Sequence, residues 1–125
     1  MKFSWLALLL CGWLHPVWAA DTQAHILLQD SPLAGFQYHH GKQFWSELKP
    51  GDALSLTREP DNPYDHNATR VDWQGFKLGY VPRRENADVA RMLDNGAKLE
   101  ARITRLVKSR DPWQRIRFEI LAPVE

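Results

Sequence analysis

The sequence predicts a mostly β domain: a small, closed or nearly closed β-barrel of six strands with one short helix. Six runs of six to eleven residues alternate apolar and polar side chains, and turn-forming residues separate them. One segment carries the apolar spacing of an amphipathic helix. Strands therefore do not alternate with long helices as they do in α/β proteins, and short strands in this number favour a barrel.

Turn signals set the limits of the strands. Residues 49–52 (KPGD) form a turn that ends the connection after the first strand, and QG (74–75) joins two strands as a tight hairpin. A further short strand is expected at 25–28 (HILL), within the segment over residues 20–32 that precedes the strand at 33–38. The six strands are predicted at residues 33–38, 53–58, 68–73, 76–81, 98–108 and 113–121.

Alternation within each strand assigns one face to the core. The helix is predicted to begin after its N-cap Asn86 and to end at NG (95–96), with Val89, Met92 and Leu93 as its apolar stripe. The strand residues predicted to point inward are Ala34, Phe36, Tyr38, Leu54, Leu56, Leu99, Ala101, Ile103, Ile116, Phe118 and Ile120.

Residues 1–19 have the pattern of a secretory signal peptide. Lys2 supplies a short positive region, residues 3–14 are mostly apolar but too few to span a bilayer, and Val17-Trp18-Ala19 resembles a cleavage site. A buried N-terminal helix or strand is the alternative interpretation. We expect an exported protein, periplasmic or secreted, with no stable membrane anchor and with one domain over residues 20–125.

The composition excludes several kinds of chemistry. Cys11 is the one cysteine and precedes the expected cleavage point, so the mature domain has no disulfide, thiolate zinc site or cysteine nucleophile. A lipid anchor on Cys11 is disfavoured because Leu10 stands where such sites need a small residue. The chain has 16 basic and 15 acidic residues, so removal of Lys2 leaves a mature domain that is neutral before its histidines are counted.

Catalysis and metal binding are alternatives that rest on few residues. Asp61, Asp65 and His66 lie close in sequence, but aspartates in turns more often accept hydrogen bonds from backbone N–H groups. His39 and His40 could hold a metal with His66 only if a loop brought them together, and their spacing matches no zinc motif. The sequence has neither a nucleophile-elbow serine nor a P-loop. We expect no catalytic residue, metal or cofactor.

The C-terminal third has the pattern of a nucleic-acid-binding surface. Residues 98–117 hold seven basic residues against two acidic ones, and Arg83-Arg84 adds a further pair. Small barrels that bind single strands combine such grooves with exposed rings on which bases stack. Tyr38, Tyr64 and Trp113 are the candidate rings, although the alternation of its strand also suits Tyr38 to the core.

The segment REPDNPYDHNA (58–68) is dense in hydrogen-bonding groups. Its two prolines restrict the backbone, and its aspartates and asparagines can accept hydrogen bonds from nearby N–H groups, so much of it predicts a self-braced turn. Such a turn would present Tyr64, with Asn62 and Asp65 beside it. A flat ring with short hydrogen-bonding side chains is suited to reading one nucleobase or sugar end.

Three segments of the chain resemble the HIRAN domain. They are AGFQYHHG (34–41), LKPGDALSLTREPDNPYDHNATRV (48–71) and LGYVPRRENADVARMLDNG (78–96), and the similarity runs from about residue 30 to the C-terminus. The resemblance implies an OB-like β-barrel that binds the 3′ end of single-stranded DNA and recognises its free 3′-hydroxyl.

The matching positions imply a role for each residue of the site. Tyr38 and Tyr64 correspond to the two rings that sandwich the terminal base, and Asp65 corresponds to the acceptor of the 3′-hydroxyl. Asn62 matches the loop asparagine, and Arg83 matches a basic residue near the backbone phosphates.

Two positions depart from the DNA-binding members of the family. Tyr80 stands where they can have a histidine, and Gln37 stands where the residue ahead of the first tyrosine can be basic. Both departures imply a weaker hold on phosphates. The ATPase motor and zinc-binding RING of large HIRAN proteins are not expected here, because the chain lacks a P-loop and a cysteine after residue 19.

Two functions from different classes follow from the sequence. The first is a non-catalytic binding module for single-stranded nucleic-acid ends, which the matching residues and the basic C-terminal third favour. The second is an envelope interaction protein that binds a protein, peptide or glycan, which the export signal and the neutral charge favour.

Overall fold

Residues 24–124 are the part of the chain that the structure, a computed structural model, describes. Their regular secondary structure is mostly β, as the sequence predicts, with one short α-helix. The interpretation of residues 1–19 lies outside this part. Short 3₁₀ helices occupy Phe36–Tyr38, His40–Glu47, Arg83–Glu85 and Pro112–Gln114. The strands and helix are β1 (His25–Pro32), β2 (Ala53–Arg58), β3 (Thr69–Trp73), β4 (Phe76–Tyr80), α1 (Ala87–Asp94), β5 (Glu100–Leu106) and β6 (Ile116–Pro123).

The six strands form one antiparallel sheet in the order β1-β6-β5-β2-β3-β4. The chain that leaves β1 then crosses to the opposite edge. Ala34 and Tyr80 exchange two backbone hydrogen bonds of 2.9 Å, and the Leu33 N–H donates to the Ile116 carbonyl at 3.0 Å. A single bridge thus joins the two edges of an otherwise open sheet, which is consistent with the predicted OB-like barrel.

The bridge depends on a close approach that glycine allows. A Cβ atom on Gly79 would lie 2.2 Å from the carbonyl oxygen of Ala34, well inside van der Waals contact. Gly41 has a similar role, since a Cβ there would lie 1.9 Å from the ring of Phe36. Both glycines therefore let the segment after β1 pack flat against the barrel.

Half of the buried core consists of residues that alternation assigns to the inner face, and β3 and β4 add core residues for which no face was predicted. Ile103, Ile116, Phe118 and Ile120 are at most 1% exposed, and each buried side chain of this size contributes about 1.5–3 kcal/mol of transfer free energy. The predicted inward residues Leu54 and Ala101 are also buried, whereas Leu56 and Leu99 are half-buried at the edge of the core.

The hairpin between β3 and β4 has the predicted turn. Gln74 and Gly75 both have positive φ, 48° and 84°, which is the backbone of a type I′ turn. This turn twists in the same sense as the strands, so β3 and β4 continue directly into each other. The helix is also confirmed, with Val89 buried and Met92 and Leu93 half-buried.

The strand predicted at residues 33–38 is wrong. Within 33–38 only Ala34 forms a β-bridge, because Gly35 adopts a left-handed φ of 74° and turns the chain into the 3₁₀ helix Phe36–Tyr38. Phe36 is therefore buried while Tyr38 is 77% exposed, so the two rings do not share a face and Tyr38 does not belong to the core.

The observed limits of β5 and β6 also differ from the predicted ones, because local hydrogen bonds and a bulge interrupt the strands. The strand predicted at 113–121 begins at Ile116, because Asp111 accepts a hydrogen bond from the Trp113 N–H and holds a 3₁₀ turn. β5 is shorter than the predicted 98–108 and has a bulge between Ile103 and Arg105. The bulge shifts the alternation by one residue after Ile103.

Two further observations concern the described residues as a set. None of the helices within residues 24–124 is long and apolar enough to cross a membrane. The histidines, aspartates and glutamates of this same range include no group of three arranged to hold a metal ion.

The Gly79 approach gives a test of the fold. We expect Gly79→Ala to lower the free energy of unfolding by about 1–3 kcal/mol, because the added methyl overlaps backbone and cannot move aside. Urea unfolding followed by tryptophan fluorescence would measure this. Ser55→Ala, on the exposed face of β2, is the control and should change stability by less than about 0.5 kcal/mol. Equal effects of the two substitutions would contradict the assigned contact.

Candidate functional site

A cleft of about 810 Å³ opens beside the bridge between the two edges of the sheet. Its walls come from the turn after β1, the loop between β2 and β3, the end of β4 and the turn that follows it. All six residues predicted for the site line this one cleft: Tyr38, Asn62, Tyr64, Asp65, Tyr80 and Arg83.

Tyr38 and Tyr64 present their rings to solvent in the cleft. They are 77% and 82% exposed, far more than large aromatic side chains usually are in a folded domain. Tyr38 follows the buried Phe36 in a 3₁₀ turn, and Tyr64 lies at the tip of the loop over residues 58–68. Two exposed flat surfaces in one cleft are suited to stacking against a planar ligand.

Arg58 and the backbone hold the loop over residues 58–68 in one conformation. The guanidinium of Arg58 donates to the carbonyls of Ala68 and His66 at 2.6 and 2.8 Å and also pairs with Asp94 of α1. Across the base of the loop, the Glu59 N–H donates to the Ala68 carbonyl at 3.0 Å. The loop is thus self-braced as predicted, and little entropy remains to be lost when it binds a ligand.

Asp65 has a fixed carboxylate at the cleft wall. Its Oδ1 accepts from the Asn67 N–H at 2.9 Å, and its Oδ2 accepts from the side-chain amide of Asn86 at 2.8 Å. Each carboxylate oxygen has a second lone pair, so Asp65 can accept a further hydrogen bond from a ligand hydroxyl. Asn86 lies at the N-cap position of α1, but its side chain makes this contact instead of a capping hydrogen bond.

Asn62 has both ends of its amide engaged within the protein. Its Oδ1 accepts from the Tyr64 N–H at 2.9 Å, and its Nδ2 donates to Glu59 at 3.0 Å. The geometry therefore makes Asn62 a brace behind Tyr64, although it also lines the cleft.

Glu59 links the loop to the barrel and was missed by the sequence reasoning. Its Oε1 accepts from the hydroxyl of Tyr80 at 2.7 Å as well as from Asn62, while Lys77 and Arg70 lie 3.9 and 3.8 Å from its other oxygen. Arg70 and Tyr80 are partners across β3 and β4, so Glu59 and its cationic neighbours adjoin the part of the cleft wall that Tyr80 forms. Arg70 and Lys77, on two strands that the sequence predicts to form a hairpin, were the available sign that an acidic partner lies near them.

The pKa of Glu59 lies below its ordinary value as the result of opposing effects. Burial is the largest and raises the pKa, but hydrogen bonds from Tyr80 and Asn62 and the charges of Lys77 and Arg70 together outweigh it. Glu59 is therefore ionised at neutral pH and accepts both hydrogen bonds as a carboxylate.

His39 is a second residue of the cleft that the sequence reasoning did not place there. Its ring meets that of Tyr80 edge to face at 5.9 Å between centroids. Burial lowers the pKa of His39 below its ordinary 6.5, and the charges of Lys77 and His40 lower it further, with Glu59 opposing them. The neutral form of the imidazole is therefore favoured at pH 7, and His39 adds little positive charge to the cleft.

Positive charge reaches the cleft from one side. Arg83 is exposed and lines both the cleft and a neighbouring recess, which it shares with Arg84 and Trp113. Trp113 is 46% exposed. Of the cations predicted from the sequence, Arg83 and Arg84 therefore lie beside the stacking surfaces of the cleft.

Comparisons with known proteins agree with this architecture. A family model for the HIRAN domain matches residues 26–125. The chain is 34% identical to the Helicase-like transcription factor of Mus musculus over 64 residues, which are 50% of this chain and 6% of that protein. A crystal structure of a Lactobacillus plantarum protein has a TM-score of 0.70 at 28% identity and covers 82% of this chain and 99% of that chain.

The HIRAN domain of human HLTF has the same fold. Its crystal structure has a TM-score of 0.63 at 20% identity and covers 81% of this chain and 80% of that one. The fold and the open cleft define a small β-barrel binding module. The chain belongs to the HIRAN domain family.

The lowered pKa of Glu59 gives a stability test with a defined sign. A carboxyl whose pKa falls on folding stabilises the protein above its unfolded pKa, here 4.5, and loses that effect as pH falls through the lower folded value. We expect Glu59→Gln to destabilise by about 1 kcal/mol at pH 7 and by less at pH 3.5. Urea unfolding across this range would measure it.

Glu47→Gln is the matched control, since Glu47 is exposed at the end of a 3₁₀ helix. It should show no comparable pH-dependent difference from the wild type. A Glu59→Gln effect that stays constant down to pH 3.5 would contradict the assigned role of the carboxylate.

Proposed function

We propose that this domain is a non-catalytic module that binds the 3′ end of single-stranded nucleic acid in the cleft. The observation that carries the proposal is the pair of exposed rings, Tyr38 and Tyr64, beside the fixed carboxylate of Asp65. The terminal base stacks between the two rings, and each base–aromatic stack contributes about 1–3 kcal/mol.

Asp65 makes the site selective for a free hydroxyl at the end of the strand. A 3′-hydroxyl donates a hydrogen bond to the carboxylate, and a hydrogen bond to a charged acceptor contributes about 1.5–3 kcal/mol. A 3′-phosphate at the same place brings two negative groups together and has no such proton to donate at neutral pH. Asn67 and Asn86 hold Asp65 in place, so its orientation requires no adjustment on binding.

Arg83 and Arg84 supply the contacts with the strand's phosphates, and Trp113 supplies a further ring next to them. Because the lowered pKa of His39 favours its neutral form, binding should depend on few phosphate contacts and have a shallow salt dependence. This arrangement favours recognition of an end over non-specific binding along a strand.

The site is proposed to bind and not to transform its ligand. Asp65 already accepts two hydrogen bonds from the protein, and its neighbour His66 is exposed. Residues 1–19 support the further proposal that the protein is exported and meets nucleic acid outside the cytoplasm. N-terminal sequencing of the protein from cells would support export by finding a chain that starts near residue 20.

Fluorescence anisotropy with short oligonucleotides tests the end-reading mechanism. The wild type should bind a 3′-hydroxyl strand more tightly than the same strand with a 3′-phosphate. Tyr64→Ala should weaken binding about 5- to 150-fold, because one stacking surface is lost. Asp65→Asn should reduce the preference for the hydroxyl, because the carboxylate charge that disfavours phosphate is gone.

Tyr64→Phe keeps the ring and serves as the control, so its affinity should stay close to that of the wild type. Equal affinity for hydroxyl and phosphate ends would overturn the role of Asp65. Unchanged binding in Tyr64→Ala would overturn the stacking mechanism.

A further inference from the structure

Two arginines lie directly opposite each other on neighbouring strands. The bulge in β5 after Ile103 brings Arg105 into register with Arg117 of β6. Without the bulge, strict alternation from the buried Ile103 would turn Arg105 towards the core; with it, both Thr104 and Arg105 are exposed. The bulge therefore creates a pair of cations that the sequence pattern does not predict.

Such a pair is unfavourable unless an anion compensates it, because like charges in directly opposite positions of a sheet repel. Asp30 of β1 pairs with Arg117, with 3.0 Å between Nη2 and Oδ1. Arg105 makes no ion pair and no side-chain hydrogen bond with any other residue of the described range 24–124. One carboxylate thus compensates one of the two guanidiniums, and a net positive charge remains.

The two arginines line a recess of about 150 Å³ together with Trp113. Trp113 also lines the recess that contains Arg83 and Arg84, and Arg83 in turn lines the cleft. These shared residues make the recess of the arginine pair a neighbour of the recess beside the cleft, with Trp113 lining both recesses.

The segment that carries Trp113 is held in place. The Asp111 carboxylate accepts from the Trp113 N–H at 3.0 Å, and Nε of Arg115 donates to the Ser109 carbonyl at 2.8 Å. The backbone that carries the ring is therefore held in place where the two basic recesses meet.

We propose that Arg105 and Arg117 bind a backbone phosphate of the strand whose 3′ end occupies the cleft, upstream of the terminal nucleotides. The proposal rests on the proposed function and adds a second contact site for the same strand. The guanidinium is suited to this task because its forked N–H groups match phosphate oxygens, and the phosphate removes the repulsion between the two side chains. The strand runs from the cleft past Arg83 and over Trp113 to the arginine pair.

Oligonucleotides of different length separate this site from the cleft. We would measure anisotropy for strands of two and eight nucleotides, both with a 3′-hydroxyl, at several salt concentrations. Arg105→Gln should weaken binding of the eight-nucleotide strand about threefold to tenfold and reduce its salt slope by about 0.7, as expected for one lost phosphate contact on a single strand. Binding of the two-nucleotide strand should not change.

Arg102→Gln is the matched control. Arg102 lies on the same strand and is exposed, and its removal changes the net charge equally, but it pairs with Glu119 and does not line the recess. Its affinities and salt slopes for both lengths should change by less than about twofold, since long-range attraction is screened within about 10 Å at 0.1 M salt.

Each further outcome decides between the two proposals. Wild-type affinity of Arg105→Gln for the long strand, with the hydroxyl preference intact, overturns the arginine site alone. A loss with the long strand in Arg105→Gln, together with equal wild-type affinity for hydroxyl and phosphate ends, supports the arginine site and overturns end reading. An octaglutamate peptide that displaces the long strand as effectively as unlabelled oligonucleotide overturns the assignment of the site to nucleic acid.

Discussion

The pairing of Ala34 with Tyr80 is the contact on which the cleft depends. It draws the chain after β1 across the open end of the sheet and places the turn that carries Tyr38 opposite the loop that carries Tyr64. Gly79 makes the approach possible because it has no side chain to obstruct the Ala34 carbonyl. The same two backbone hydrogen bonds therefore complete the barrel and set the width of the cleft.

Much of the fold follows from the sequence because alternation reports burial on one face of a strand. β2 and the QG turn were predicted at the observed residues, and the inward residues of β5 and β6 are buried. The conformation of residues 33–38 was not predicted, since the alternating pattern does not show that Gly35 adopts a left-handed φ. The bulge in β5 was also beyond reach, because pairing register is a property of two strands and not of one.

The six predicted site residues share one cleft, yet their roles in the structure are not equal. Tyr38 and Tyr64 are free to meet a ligand, whereas Asn62 is engaged on both sides of its amide. Glu59 and His39 were missed because their importance comes from contacts across the chain, Glu59 with Tyr80 and His39 with the Tyr80 ring. Sequence patterns identify exposed functional groups more readily than the polar groups that position them.

The contact between Asn86 and Asp65 has a consequence for how the domain opens locally. Asn86 lies at the N-cap position of α1, and Arg58 joins the other end of that helix to the loop through Asp94. The helix and the loop are therefore fastened together at two points and belong to one cooperative unit. Transient unravelling of α1 would release the Asp65 carboxylate from its orientation, so the proposed ligand recognition would depend on the same local opening that lets the helix amides exchange.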